Sequence, residues 1–141
     1  MNKQALRSLV IVLGDQLDPD SSAFDDFDPV LDRVWMAEVA AESTHVWSSK
    51  PRIALFLAAM RHFADALREA GRPLLYQRLD DADAAPDLAS ALRAAIASLG
   101  PERLVMTAPG DWRVLQSLRA VARDAGLELE LRDDRHFYTT V

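Results

Sequence analysis

The run Leu9-Val10-Ile11-Val12-Leu13-Gly14-Asp15-Gln16-Leu17 decides the fold. Its first five residues are all apolar and three of them are β-branched, so they read as a strand buried on both faces. Such a strand belongs near the middle of a parallel sheet, with helices above and below it. The glycine and polar residues that follow mark a tight exit turn, with a side chain free to cap backbone N–H groups or to touch a ligand.

Working outward, Val34 to Val39 forms a second strand. Three further segments then share one pattern: an apolar stripe at helical spacing, a glycine, and a short β-rich run. The first stripe is Ile53, Phe56, Leu57, Met60, Phe63 and Leu67, with Arg61, Arg68 and Glu69 mostly off it. Gly71 closes that helix and Leu74 to Leu79 follows as a strand. The second unit runs from Leu88 to Leu99, then Gly100 and the strand Leu104 to Thr107. The third runs from Val114 to Val121, then Gly126 and the strand Leu127 to Leu131. Its glycines lie 29 and 26 residues apart, which is the length of successive α–β units. Five strands and three helices predict a three-layer α/β domain with a mainly parallel, doubly wound, Rossmann-like sheet flanked by helices. Between the first two strands, Asp15 to Asp32 predicts a long loop with one short helical turn.

The 141 residues fit one domain, 1–141, and half of them are apolar, enough for a core. There is no cysteine, which excludes a disulfide framework, a thiolate metal site, an iron–sulfur cluster and a cysteine nucleophile in this chain. Sixteen basic and twenty-two acidic residues give a net charge of −6, the wrong sign for binding a phosphate backbone directly. The apolar run Leu9 to Leu13 is far short of a secretory core or of the about 20 residues of a membrane span, so the expected location is the cytoplasm, with no membrane partner.

Ligands of open parallel sheets bind outside the carboxyl ends of the strands, near the point where strand order reverses. That rule selects Gly14, Asp15, Gln16 and Leu17 after the first strand, Glu38, Glu42 and His45 after the second, and Thr107 to Asp111 after the fourth. Glu38 is the sharpest signal, because it interrupts an apolar strand and a buried carboxylate without a partner costs several kcal/mol. His45 alone is more often a surface or structural residue than a base. Trp35 reads as core packing and Trp112 as an anchor at a helix start, whereas Trp47 suits a flat ligand or a partner equally. No G-x-G-x-x-G, P-loop or G-x-S-x-G motif occurs, and no metal-binding or catalytic constellation stands out.

Several motifs in order carry a resemblance: Val12 to Leu17, Glu38 to Val46, Ala59 to Ala64, Asp80 to Asp83, Pro109 to Val114 and Asp134 to Phe137. Here the chain resembles the N-terminal domain of the photolyase-related proteins, the bacterial iron–sulfur cryptochromes and (6-4) photolyases. The resemblance implies an antenna domain that binds 6,7-dimethyl-8-ribityllumazine and passes excitation to FAD. It also implies a longer parent, whose C-terminal domain carries FAD and a 4Fe-4S cluster and meets damaged DNA, so that the present chain is a fragment with no catalysis of its own. By motif, Gly14, Asp15, Gln16 and Leu17 would approach the chromophore, Glu38 and Glu42 would accept hydrogen bonds from it, His45 stands where relatives often carry tyrosine, and Phe56 would pack on its ring.

Two other readings stay open at this point. A phospho-receiver would use Asp15, Asp80 or Asp81, and Thr107, but Arg132 stands where it needs lysine. A nucleotide-binding stress-type protein shares the topology but needs a glycine-rich loop after the fourth strand, and Asp111-Trp112-Arg113 is a poor phosphate cradle.

Overall fold

Strand β1 (Ser8–Ile11) lies at the centre of the molecule, hydrogen-bonded on one side to β2 (Asp32–Ala37) and on the other to β4 (Arg103–Thr107). β3 (Leu74–Gln77) and β5 (Glu128–Arg132) complete a sheet of order β3-β2-β1-β4-β5 in which every pairing is parallel. This computed structural model describes residues 6–14, 16–18, 20–39, 50–78, 81, 85–110 and 112–132. The helices are α1 (Lys50–Glu69), α2 (Leu88–Leu99) and α3 (Trp112–Ala125), and a short 3-10 turn, Ser22–Phe24, interrupts the first connection. The order reverses between β1 and β4, as in a Rossmann-like fold; a phospho-receiver has order 2-1-3-4-5, so this topology is not a receiver's.

Alternation along the strands builds two cores. Leu9 and Ile11, with Trp35, Leu104 and Met106, face Leu92, Leu118 and Val121 of α2 and α3. Val10, Val34, Met36 and Val105 face Met60, Phe63, Ala64 and Leu67 of α1, with Ala23 and Phe24 of the 3-10 turn beside them. The helices end where the glycines predict. At Gly71 (φ 78°) and Gly126 (φ 70°) the chain turns left-handed, and the next residue's N–H reaches back five positions, Arg72 to Leu67 and Leu127 to Ala122. This conformation is costly for any side chain with a Cβ.

The strand ends shift from their sequence-based limits. β1 stops at Ile11, since the turn in which the Gln16 N–H donates to the Leu13 carbonyl at 2.9 Å has already begun. β2 starts two residues early because Asp32, 3% exposed, is tied in by Arg7, by the Ser8 N–H at 3.1 Å and by the Asp28 N–H at 2.8 Å. Trp35 is core, as expected. Trp112 begins α3 but is 67% exposed, so it anchors nothing: it sits two positions before the helix turns its apolar side, starting with Val114 and Leu115, to the sheet. Among the described residues no helix is long and apolar enough to cross a membrane.

On the 3-10-turn side, β4 and β5 are covered largely by charge. Arg132 bonds Glu130 at 2.6 Å and Asp26 at 2.8 Å and donates to the Ser22 carbonyl at 3.0 Å. Arg103 joins the same two acids and Ser8. Arg132, first of all, holds the Asp26 carboxyl below the usual carboxylate range.

Asp87 caps α2 by accepting from the Ser90 N–H at 2.7 Å, and that bond, first among its causes, holds its carboxyl below the ordinary value. Asp87→Ala is expected to lower stability in urea by about 1 kcal/mol. A depressed carboxylate stabilises above its unfolded pKa, about 3.9, and the contribution fades as pH falls through the folded value. The difference between variant and parent should therefore shrink in acid, which urea titrations at neutral and strongly acidic pH measure.

Candidate functional site

The carboxyl ends of β1 and β4 part at the switch point, and two contacts organise what lies there. The first joins Gly14 to α1. A Cβ added to Gly14 would collide with Phe56 Cζ and stand 2.8 and 3.0 Å from Cε1 and Cε2 of the same ring, so the aromatic ring rests directly on bare backbone. Glycine is needed here for space, not for a left-handed φ. Leu17 and Phe56 both pack, partly buried, at the edge of the α1-side core.

The second contact spans the switch point. Gln16 Nε2 donates to the Thr107 carbonyl at 3.0 Å, tying the exit of β1 to the end of β4. The Thr107 hydroxyl shares a 2.7 Å hydrogen bond with Ser21 from the first connection. The side-chain oxygen of Gln16, Oε1, is buried and has no hydrogen-bond partner in the described structure. A buried amide oxygen left unpaired costs about 1–3 kcal/mol, and is a place where a donor would be welcome.

At the end of β2, Glu38 continues the face of Val34 and Met36 toward α1. It is 1% exposed. Arg61 Nε and Nη2 each donate to a different carboxylate oxygen at 2.8 Å, and the Tyr76 hydroxyl donates at 2.5 Å. Three charge-assisted bonds meet the requirement that sequence reasoning attached to a carboxylate in this strand. Burial, and then Glu38 itself, push the Tyr76 phenol far above its ordinary value. Gln77 braces the adjoining turn, donating to the Glu38 and Ala85 carbonyls at 3.2 Å each and accepting from the Ala85 N–H at 3.1 Å.

Of the predicted site residues, Gly14 and Phe56 touch, Leu17 shares their core, and Gln16 and Glu38 stand at the ends of β1 and β2. Asp15, Glu42 and His45 lie outside the described residues, as does Trp47. Arg61 and Tyr76 escaped the sequence reading. Arg61, placed mostly off the helix stripe there, extends the row Ile53, Leu57, Arg61, which flanks the buried positions. Its signal was that spacing of four, together with the need of Glu38 for a cation. Tyr76 could be found only from register, since it pairs with Met36, two residues before Glu38 on the same face.

The strand order and the polar groups gathered at its switch point together define a Rossmann-like α/β domain. The chain belongs to the deoxyribodipyrimidine photo-lyase-related protein family, whose profile matches residues 10–141. It is also 39% identical over 135 residues to a (6-4) photolyase of Agrobacterium fabrum, a match that takes in 96% of this chain and 27% of the relative. The chain thus spans about a quarter of that relative's length.

Two outcomes follow from the geometry. Gly14→Ala should cost about 1–3 kcal/mol by overpacking against Phe56, and much less in a Phe56→Ala background, as a double-mutant cycle in urea would measure. For Tyr76, a raised phenol pKa means that its contribution is intact below about pH 10 and is lost as pH rises through the folded value. In a Tyr138→Phe background, tyrosinate absorbance should therefore stay low at about pH 10 and rise only as the domain unfolds in stronger alkali.

Proposed function

We propose that residues 1–141 are the antenna-chromophore domain of a longer cytoplasmic photolyase-related protein. In this reading the domain holds 6,7-dimethyl-8-ribityllumazine, and a C-terminal domain of the parent carries FAD and a 4Fe-4S cluster and engages damaged DNA. Membership of the family and the larger size of the Agrobacterium fabrum relative support a parent of this kind. When bound, the lumazine supplies absorption of near-ultraviolet and violet light and passes the excitation on to FAD.

The observation that carries the reading is the unpaired, buried Oε1 of Gln16 at the switch point, next to the apolar contact of Phe56 on Gly14. An apolar wall with a few fixed polar groups is what a flat ring bearing a polyhydroxyl chain requires. Gln16 Oε1 accepts from a ribityl hydroxyl. Phe56 and Leu17 exclude water from the ring, while the Glu38, Arg61 and Tyr76 cluster forms a polar edge. Asp15, Glu42 and His45, which follow the same strand ends in sequence, belong to the proposed binding set. None of these residues makes or breaks a bond: the protein's part is orientation and dryness.

Titrating the purified chain with the lumazine should give a saturable shift of its visible absorption, one molecule per chain. Gln16→Ala and Glu42→Ala should each weaken binding about tenfold or more, the loss of a buried hydrogen bond. Absence of saturable binding to the parent chain overturns the reading.

A further inference from the structure

The stretch Ile53-Ala54-Leu55-Phe56-Leu57-Ala58-Ala59-Met60 is apolar at every position and makes up about two turns of α1. Consecutive helical residues point in all directions, so these two turns are apolar all round, the pattern of a helix covered on every side. This domain covers one side. Met60 is buried and Phe56 and Leu57 are half-buried, whereas Ala54, Leu55, Ala58 and Ala59 are exposed, Leu55 at 73%. Leu55 stands three and four residues before Ala58 and Ala59, so the three form one outer strip without a polar side chain. Beyond Met60 the outer side turns polar, with His62, Asp65, Arg68 and Glu69 exposed. Helix α3 carries Gln116, Ser117, Arg119 and Arg123 on its outer side, as a helix facing water does. The bare strip is thus confined to the half of α1 nearest the carboxyl ends of the strands, where the same two turns lay Phe56 on Gly14.

We infer that the outer side of residues 53–60 is the seat of the parent's C-terminal domain, which meets it with an uncharged, apolar surface. The inference rests on the reading above that such a domain exists. Size chooses this occupant over others. The match takes in 27% of the Agrobacterium fabrum relative, so most of that protein lies outside a domain of this kind. Leu55 and three alanines fall far short of the about 20–30 residues a side that a stable complex of separate proteins uses, which disfavours a second copy. A domain on the same chain arrives at an effective concentration of about millimolar order, so a modest apolar centre is enough to seat it. Eight residues are likewise too few for a bilayer span, which takes about 20. Because α1 also carries Phe56, a domain seated on its outer side is held beside the switch point.

Photochemical cross-linking of the whole parent protein tests this. With Leu55→p-benzoylphenylalanine, illumination of a dilute sample should join α1 to a peptide from beyond residue 141, within one molecule. A second variant avoids the bulk of the probe. Leu55→Glu should leave the urea midpoint of the isolated chain unchanged, since nothing covers Leu55 there, yet speed protease cleavage between the two domains of the parent about tenfold; Leu55→Met, which keeps the apolar contact, should restore the slow rate.

Cross-links between two copies of the parent, or none at all, overturn the inference, as does a cleavage rate that Leu55→Glu leaves unchanged. A native protein no larger than this chain overturns the antenna reading and this inference with it. A parent that has the C-terminal domain and binds the lumazine, but whose position 55 cross-links to neither, keeps that reading and loses this inference alone.

Discussion

A carboxylate withdrawn from water must be met by donors from its own protein, and the meeting of Glu38 with Arg61 and Tyr76 governs the upper end of this domain. The three residues come from β2, α1 and β3, so one local requirement fixes how a helix lies across two strands. Any rotation of α1 that spoiled the fork would leave an unpaired buried charge, a cost of about 3–5 kcal/mol. Packing of Met60, Phe63 and Leu67 sets the helix on the sheet, but apolar contacts tolerate small slides; the bidentate pair does not.

The same orientation of α1 delivers Phe56 to Gly14. Arg61 and Phe56 are five residues apart on one helix, and they touch the ends of β2 and β1 respectively. The switch point thereby acquires an apolar wall and a polar edge from a single rigid element, which favours a precise site over one carried on loops alone. Gln16 closes the remaining side by tying β1 to β4, at the expense of its own unpaired oxygen.

Much of this was legible in the chain before its structure. The double-faced apolar run at Leu9 to Leu13 put β1 at the centre, and the glycines at 71, 100 and 126 ended three helices where they end. The fate of Glu38 was legible as a need but not as a partner, because pairing with Arg61 depends on how a helix is rotated over a sheet and pairing with Tyr76 on strand register. Neither is written in local spacing. The exposure of Trp112 was equally hidden: a helix start predicts a residue's backbone, while burial of its side chain depends on which way the first turn faces. Strand limits moved by a residue or two where side-chain bonds, such as those of Asp32, recruited a neighbour to the ladder.

The face of the sheet that α1 covers is sealed by two means. Beside β1 and β2 it is closed with hydrocarbon from α1, as the opposite face is by α2 and α3, whereas over β4 and β5 a lattice of Arg103, Arg132, Asp26 and Glu130 substitutes for a helix. Dissolved electrolyte shields the second kind of seal and leaves the first untouched, and cooling weakens the first kind with little purchase on the second. Brine and cold therefore attack different parts of this small domain, and the first connection, clasped by Arg132, is the part that brine reaches.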